Sequence, residues 1–336
     1  MINTENINYP VPKQEYKVLV RCFTFNQSKY VEDALNGFAM QKTNFPFVCL
    51  VMDDASTDGE QVVIKEWMDR ECDMSRAETI DIPTSNVIIV PHKTNTSCTF
   101  AFYFLKQNLF KAKEEKMKHV IPWREQCEYE ALCEGDDYWI DPLKLQKQVD
   151  FLDKNPEYGL VWSKVRVLDQ RGEFCGCIGK KAVVFNDLLK DNPINTLSTM
   201  FRGCALNGYS ELVSGQKWLM GDYPMWLYIS LKYKIRFMND IMGVYRVFEK
   251  SASHNPSYIK QLEFLNSYYD IKFFYMKLVG LDVKKANVMN KMHYDLFVVS
   301  YNCKAFLEAV SYYKKIRFSF YKCKAFFKYF IIRNKQ

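Results

Sequence analysis

The sequence predicts an α/β protein with a mixed, mainly parallel sheet that is flanked by helices. Strand-length apolar runs alternate with stretches in which apolar residues recur at helical spacing. The apolar runs are hydrophobic at nearly every position, which is typical of parallel strands buried on both faces. Hydrophobic residues make up 48% of the 336-residue chain, which is sufficient for a substantial core.

The first half of the chain shows the clearest alternation. Continuous apolar runs predict four strands, at residues 18–23, 47–52, 87–90 and 129–133. Helical spacing predicts helices after the first two strands and over residues 99–117, where an aromatic cluster lies. Asp141 and Pro142 suit an N-cap and a first helical turn, so another helix is expected to begin there. The charged run at residues 111–118 is interpreted as a solvated helix end.

The second half predicts further strands and then helices. Strands are expected at 159–163 and 196–202, a hairpin within 165–179, and a last strand that ends at Arg246. Beyond Pro256, helical spacing predicts one long helix and two more near 283–300 and 303–316. The predicted organisation is a sheet domain over residues 1–255, with halves at about 16–140 and 141–255, and a helical extension over 256–336.

Three polar clusters directly follow predicted strands. They are Phe25-Asn26, Asp53-Asp54 and Asp136-Asp137. The carboxyl ends of parallel strands share one edge of the sheet, where ligands of open α/β sheets bind. Paired carboxylates there suit a divalent cation that carries a phosphorylated ligand, because hard oxygens bind hard cations. For residues 133–139 alone, a turn that favours Asp and Gly is an equally good interpretation.

The cysteines and the N-terminus bear on location. Eleven cysteines are scattered without a CxxC pair, and Cys175 and Cys177 lack nearby partners that would complete a zinc site. The odd cysteine count and the polar start of the chain, without an apolar signal segment, predict a cytoplasmic protein. No apolar run reaches the roughly 20 residues that cross a bilayer.

Positive charge is concentrated near the C-terminal end. Residues 304–336 hold nine basic residues and one acidic residue, a net charge of +8, whereas the whole chain carries +7. The remainder is therefore near neutral, at −1, and nucleic acid is not an expected partner. Basic and aromatic residues interleave over 311–333. They predict either peripheral contact with an anionic membrane, at the inner face of the cell membrane, or a helix packed by its aromatic side.

Three motifs resemble those of bacterial-type family 2 glycosyltransferases, in the same order and at similar spacing. T-F-N at 24–26 resembles their T-Y-N, M-D-D-A-S-T-D-G at 52–59 resembles their D-D-x-S-x-D-G, and E-G-D-D at 134–137 resembles their D-x-D variant. The resemblance runs from about Tyr16 to about His254. It implies the GT-A (Rossmann-like) fold, a nucleotide-sugar donor with UDP as the expected nucleotide, and Mn²⁺ or Mg²⁺ as cofactor.

The resemblance implies a donor-binding set around the nucleobase. Asp54, with Asp53 beside it, would accept the N3–H of uracil, and Phe23, Thr24 and Phe25 would form a wall against the ring. For Phe23 and Phe25, packing in the core is an equally good interpretation. Asp53 is also a candidate helix cap.

Two polar residues near this set are expected to order loops. Asn26 is predicted to be a turn residue, and Asp58 is predicted to cap the helix that follows the second strand. By resemblance Asn26 still belongs to the donor-binding set.

The resemblance also implies a metal and phosphate site. Asp137 would ligate a cation that bridges the diphosphate, and Asp136 would reach the ribose, a metal-bound water or the metal. The metal would offset negative charge on the leaving nucleoside diphosphate. Arg246 is a candidate phosphate partner. Phe248 stands where the family often has a histidine, so His254 is the candidate replacement ligand.

Asp222 is the candidate catalytic base. It lies in G-D-Y-P at residues 221–224, and the family places a catalytic aspartate at the start of a helix in this context. Inverting transfer needs a carboxylate that accepts the proton of the attacking hydroxyl. The alternative is an N-cap before a proline.

The function implied by the resemblance is metal-dependent, inverting transfer of a sugar from a nucleoside diphosphate to a hydroxyl of a glycan or glycolipid, as in polysaccharide biosynthesis. The alternative is a non-catalytic subunit of the same fold that binds a nucleotide or carbohydrate. A nucleotidyltransferase is less well supported, because residues 24–30 lack a glycine-rich basic loop.

Overall fold

The structure is a computed structural model that describes residues 9–181, 184–248, 256–281 and 285–326. These residues form two compact units. The first comprises the described parts of 1–187, 193–210 and 228–246, and the second comprises those of 188–192, 211–227 and 247–336. The predicted boundary at residue 255 lies outside the described residues and stays a prediction.

The secondary structure follows the predicted alternation through most of the chain. The strands are β1 Val18–Thr24, β2 Phe47–Asp53, β3 Glu78–Ile82, β4 Ser85–Pro91, β5 Cys98–Leu105, β6 Tyr129–Leu132, β7 Tyr138–Trp139, β8 Tyr158–Leu168, β9 Phe174–Ile178, β10 Met200–Arg202 and β11 Lys234–Arg246. The helices are α1 Val31–Ala39, α2 Glu60–Glu71, α3 Leu109–Ala112, α4 Met117–Arg124, α5 Lys144–Lys154, α6 Phe185–Lys190, α7 Tyr209–Leu212, α8 Asp222–Lys232, α9 Tyr258–Leu278, α10 Lys285–Asn302, α11 Phe306–Lys315 and α12 Phe320–Phe326.

All eleven strands belong to one mixed sheet in the first unit. The strand order is β3-β4-β5-β2-β1-β6-β10-β8-β11-β7, and β9 pairs with β8. The central strands β5, β2, β1 and β6 are parallel to their neighbours within this group, and β8 is parallel to β11. Antiparallel strands complete the sheet on both sides of this centre. The carboxyl ends of β1, β2 and β6 therefore meet at one edge.

The two faces of the central strands pack into separate parts of the core. Along β1, Val18, Val20 and Cys22 belong to one hydrophobic cluster, whereas Leu19 belongs to another. This alternation follows from the two-residue period of a strand. Because both faces are covered, the central strands are apolar at nearly every position, as the sequence predicted.

The predicted helix over 99–117 is wrong. Residues 98–105 form β5, which is buried at all eight positions between β2 and β4. Phe100, Phe102 and Phe104 stack along one face at a spacing of two residues, which is a strand period. A continuous aromatic run fits a buried strand or a buried helix, and periodicity alone separates the two poorly. Helix begins only at Leu109.

Three other sequence predictions need smaller corrections. The strand predicted at 87–90 is present as β4, but it runs antiparallel to β3 and β5 rather than within the parallel centre. The strand predicted at 196–202 is extended only over β10, since residues 196–198 form a 3₁₀ turn. Asp141 caps a turn through a 2.9 Å bond from the Leu143 N–H, and the helix begins at Lys144.

The second unit contains the C-terminal helices that the sequence predicted. α10 packs against α9, α11 and α12. Its small core contains Tyr294, Phe297, Ala309, Ile316 and Ala325. Among the described residues, no helix combines the length and the apolar character that a bilayer crossing requires.

Candidate functional site

The three polar clusters predicted from the sequence meet at the carboxyl edge of the central strands. The Asp54 N–H donates to the Thr24 carbonyl at 3.0 Å, which joins the ends of β1 and β2. The Gly135 N–H donates to the Phe23 carbonyl at 3.1 Å, which joins the ends of β1 and β6. Main-chain bonds between neighbouring strand ends therefore create the edge that the sequence only implied.

Glu60 organises the loops that follow β1 and β2. Its carboxylate accepts the Gln27 N–H at 2.8 Å, the Ser56 hydroxyl at 2.8 Å and the Thr24 hydroxyl. Burial raises the pKa of the Glu60 carboxyl, and the bonds from Thr24, Gln27 and Ser56 lower it without cancelling the effect of burial. The sequence did not point to Glu60, because a glutamate in the first turn of a helix is common and carries no distinctive signal.

Asn26 and Asp58 form further hydrogen bonds between the loop after β1 and the loop after β2. Asn26 adopts a left-handed backbone with φ of 55°. Its N–H donates to the Ser56 hydroxyl at 2.9 Å, and its side-chain oxygen accepts the Thr57 N–H at 2.8 Å. Asp58 accepts the Glu60 N–H at the start of α2 and also the Ser28 N–H at 3.0 Å. Asp58 thus links the loops and accepts the first N–H of α2, although the N-cap residue of this helix is Gly59.

Gly135 permits the close approach of the E-G-D-D turn to the end of β1. A Cβ atom at this position would lie 2.6 Å from Gln27 Oε1 and 2.7 Å from Thr24 Cβ. Both distances are below van der Waals contact, so a side chain would push the acidic turn away from β1. This close approach therefore explains why the motif has a glycine at this position.

Asp54 is buried and its carboxylate is engaged within the chain. Its Oδ1 accepts the Leu109 N–H at 2.6 Å, at the start of α3. Its Oδ2 pairs with Lys116 Nζ at 2.8 Å. Only 1% of the Asp54 surface is exposed. The role that these contacts demonstrate is to hold the segment after β5 on the end of β2.

Asp53 differs from its neighbour in one respect. Its Oδ1 accepts the Ser56 N–H at 3.1 Å and the Gln61 side-chain amide. Its Oδ2 is buried and has no hydrogen-bond partner among the described residues. A buried acceptor without a donor costs about 1–3 kcal/mol. Of the two carboxylates, only Asp53 thus has an oxygen without a hydrogen-bond donor in the described part of the chain.

Three basic side chains lie close to the aromatic rings at the end of β1. The Arg21 guanidinium lies 4.7 Å from the Phe23 ring centroid and Lys116 Nζ lies 5.4 Å from it. Lys111 Nζ lies 5.9 Å from the Phe25 ring centroid. Both rings are partly exposed. The run at residues 111–118 is thus more than a solvated helix end, because Lys116 reaches both Asp54 and Phe23.

Asp136 and Asp137 are adjacent carboxyl groups, of which Asp137 is buried and Asp136 is half-buried. Burial raises the pKa of both carboxyls, and for Asp137 the neighbouring Asp136 raises it further. The Arg246 N–H donates to Asp137 Oδ1 at 2.8 Å and partly opposes this rise. Two adjacent carboxyls in a poorly solvated place ionise together only if additional positive charge is present.

Arg246 supports this pair from one side. Its guanidinium donates to the Asp136 carbonyl at 2.8 Å and to the Asp33 carboxylate. The group also lies 5.1 Å from the Tyr30 ring centroid and 4.5 Å from that of Tyr138. Its side chain is 10% exposed. These contacts orient the Arg246 guanidinium beside the acidic pair. The same guanidinium also forms an ion pair with Asp33.

The acidic pair fits a divalent cation that arrives with a phosphorylated ligand. Among the described residues no three His, Cys, Asp or Glu side chains are grouped as a complete protein metal site. Mg²⁺ and similar ions are commonly held by one or two carboxylates, with substrate phosphates and water completing the shell. Asp136 and Asp137 match that donor set, and a bound cation would supply the positive charge that both carboxyls need in order to ionise together. His254 lies outside the described residues.

Asp222 stands at the start of α8, as predicted. The Tyr223 N–H donates to Asp222 Oδ1 at 2.7 Å, which satisfies one main-chain donor of the first turn. Tyr223 is buried in the second unit, where its hydroxyl donates to the Leu188 carbonyl at 2.9 Å. The start of α8 is therefore anchored, and the Asp222 side chain is partly exposed.

Comparisons of the sequence with known proteins identify partial relatives. No protein-family model matches the chain. An uncharacterized protein of Mycobacterium tuberculosis is 35% identical over 183 residues, which is 53% of this chain and 45% of that protein. An uncharacterized protein of Mycobacterium bovis matches to the same extent. The match thus spans less than half the length of these relatives.

Comparison with solved structures identifies the fold. A mannosyltransferase from Pyrobaculum calidifontis, in complex with GDP-Man and Mn²⁺, has a TM-score of 0.52 and 13% identity, and covers 99% of this chain and 86% of that chain. TarS from S. aureus, residues 1–349 in complex with UDP-GlcNAc, has a TM-score of 0.48 and 14% identity, and covers 89% and 90%. The mannosyltransferase and the strand order together identify a GT-A-like glycosyltransferase fold with appended C-terminal helices.

Proposed function

We propose that this chain is a metal-dependent family 2 glycosyltransferase. It moves a sugar from a nucleoside-diphosphate donor, with UDP as the expected nucleotide, to a hydroxyl of a glycan or glycolipid. The transfer inverts the anomeric centre, and polysaccharide biosynthesis is the expected setting. The observation that carries the proposal is the adjacent pair of half-buried Asp136 and buried Asp137, at the edge where the loops after β1 and β2 also meet.

The acidic pair would hold Mn²⁺ or Mg²⁺ together with the donor diphosphate. The cation would offset the charge that develops on the leaving nucleoside diphosphate. Arg246 keeps Asp137 in place through its main-chain N–H, and its guanidinium supplies a positive charge beside the pair. The mannosyltransferase that shares the fold binds GDP-Man and Mn²⁺, which supports this assignment.

Asp53, rather than Asp54, would accept the N–H of the nucleobase. Asp53 Oδ2 is buried without a partner, whereas both oxygens of Asp54 are engaged by Leu109 and Lys116. Phe23, with Thr24 and Phe25 beside it in the chain, would contact the ring. The cations near Phe23 and Phe25 would favour an anionic nucleotide in this place.

Asp222 would act as the base of the transfer. Its Oδ1 accepts the Tyr223 N–H, so the carboxylate is held in one orientation. A held carboxylate can accept the proton of the attacking hydroxyl.

All eleven cysteines are free thiols, which supports a cytoplasmic location.

The first experiment measures UDP binding by calorimetry in Mn²⁺, in Mg²⁺ and in EDTA. The wild-type protein is expected to bind UDP only with a metal. Asp137→Asn should weaken binding in Mn²⁺ by about tenfold or more, the range seen when metal-site groups are altered. An asparagine oxygen can still accept the Arg246 N–H, so the fold should persist.

The matched control is Asp240→Asn, which changes one exposed carboxylate of the same unit to an amide. It should bind UDP like the wild-type protein. Equal UDP affinity with Mn²⁺ and with EDTA would contradict the metal site.

The alternative, a non-catalytic subunit of the same fold, is distinguished by turnover. A panel of nucleotide sugars is first screened by thermal shift with Mn²⁺, and the stabilising donor is then used to measure sugar transfer and donor hydrolysis. Asp222→Asn should retain donor binding and lower turnover by about 100-fold or more. Donor binding without turnover in the wild-type protein would favour the alternative. A lower melting temperature with unchanged turnover in the variant would leave Asp222 as a helix cap.

A further inference from the structure

The aromatic residues of α11, α12 and the loop between them lie in two different environments. Tyr312, Tyr313 and Tyr321 pack against the small core of the second unit. Phe318 and Phe320 instead point outwards, with 93% and 75% of their surfaces exposed. Tyrosine carries a hydroxyl that tolerates water, whereas phenylalanine carries none. Two exposed phenylalanines only two residues apart form an apolar surface that a partner would cover.

Basic side chains surround the two exposed rings. Lys314, Lys315, Arg317 and Lys324 are all exposed. Between residues 304 and 326 the only acidic residue is Glu308, ten residues before Phe318. We call the set of Lys314, Lys315, Arg317, Phe318, Phe320 and Lys324 the basic–phenylalanine patch.

The loop that presents Phe318 is held firmly. Ile316, two residues earlier, is buried with 2% of its surface exposed. Asn290 on α10 accepts the Arg317 N–H at 2.7 Å and donates to the Ser319 hydroxyl at 2.8 Å. Phe318 therefore lies between two residues that are both bonded to the same buried asparagine. These two bonds hold the chain on either side of Phe318, so the exposed ring can bind without prior ordering of the loop.

We propose that the basic–phenylalanine patch binds an anionic membrane surface. The rings would enter the boundary between headgroups and acyl chains, and the cations would lie over anionic headgroups. A second copy of the chain is a poor occupant, because two patches of equal positive charge repel. Nucleic acid is also a poor occupant, because the chain outside residues 304–336 carries a net charge of only −1. This inference rests on the second unit and not on the proposed transferase activity.

The test is sedimentation of the 336-residue protein with vesicles of phosphatidylcholine that contain increasing fractions of phosphatidylglycerol. Wild-type protein should sediment more strongly as the anionic fraction rises. It should be released as salt increases from about 0.1 M to about 1 M, because the Debye length falls from about 10 Å to about 3 Å.

Two variants separate the contributions of charge and rings. Neutralising the cations in Lys314→Gln/Lys315→Gln/Arg317→Gln should weaken binding about 100-fold, since each basic residue near an anionic surface contributes about fivefold. Phe318→Ser/Phe320→Ser should weaken it at least about tenfold and leave the salt dependence unchanged. Both changes lie on exposed side chains, so melting temperatures should match that of the wild-type protein.

The matched control is Leu307→Ser. Leu307 is 86% exposed on α11 but lies outside the patch and beside Glu308. This variant should sediment like the wild-type protein. Full sedimentation of both patch variants would overturn the proposal. So would binding to single-stranded oligonucleotides in place of vesicles, or a dimer that the Phe318→Ser/Phe320→Ser variant dissociates. UDP binding, measured in parallel, should be the same in all variants, so failure here is distinct from failure of the proposed function.

Discussion

Replacing Lys144 should change how stability depends on pH. Lys144 is fully buried in α5. Its Nζ donates to Gln148 Oε1 at 2.8 Å and to the Thr199 carbonyl at 3.4 Å, and lies 4.1 Å from the Trp139 ring centroid. Burial lowers the pKa of this amine from 10.5 to about 7, although Cys133 and Asp141 act in the opposite direction.

The magnitude follows from the difference in pKa. The folded pKa lies about 3.5 units below the unfolded value, so the folded state is destabilised by up to about 5 kcal/mol wherever both states are protonated, below pH 7. Between pH 7 and 10.5 the unfolded chain holds the proton more tightly, and the free energy of unfolding therefore rises with pH. From pH 7 to pH 9 this single group should add about 2 kcal/mol of stability.

The assay compares urea unfolding of the wild-type protein and Lys144→Met at pH 7 and pH 9. Methionine keeps the length and the contact with Trp139 but does not titrate. It also leaves Gln148 Oε1 without its donor, a cost of about 1–3 kcal/mol that does not depend on pH in this range. The stability of the variant relative to the wild-type protein should therefore fall by about 2 kcal/mol between pH 7 and pH 9.

Lys147→Met provides the control on the same helix. Lys147 is partly exposed, and its bonds to Asp141 and Asp240 raise the pKa of its amine above the usual value. Its removal should shift stability equally at pH 7 and pH 9. If Lys144→Met also shows a constant difference at the two values, the buried amine does not titrate in this range and the reasoning is refuted.

Two further predictions concern the candidate site. Gly135→Ala should lower both the melting temperature and the affinity for UDP, because the added Cβ would meet the Gln27 and Thr24 side chains. An unchanged melting temperature in thermal shift and an unchanged UDP affinity in calorimetry would contradict this steric explanation. Asp54→Asn should destabilise the protein by about 1–3 kcal/mol in urea unfolding, through loss of a charged partner in a buried site, whereas Asp53→Asn should mainly weaken UDP binding. The reverse pattern would show that Asp54 recognises the base.

The sequence by itself determined the parallel centre of the sheet and the carboxyl edge at which the candidate site lies. Continuous apolar runs at β1, β2 and β6 identified strands covered on both faces, and the polar residues after each run marked the carboxyl edge. The aromatic run of β5 was assigned to the wrong element, since a fully buried strand and a buried helix can share one composition. The pairing of this segment with β2 and β4 shows that it is a strand.

Only the tertiary structure distinguished neighbouring residues of the same type. Asp53 and Asp54 are adjacent and chemically identical, and their difference arises from Leu109 and Lys116, more than fifty residues away. Likewise, composition shows that the C-terminal residues mix aromatic and basic side chains, but not that tyrosines pack inwards while Phe318 and Phe320 face outwards. Local pattern reports the character of a segment, whereas the partner that each side chain finds depends on long-range packing, which periodicity does not encode.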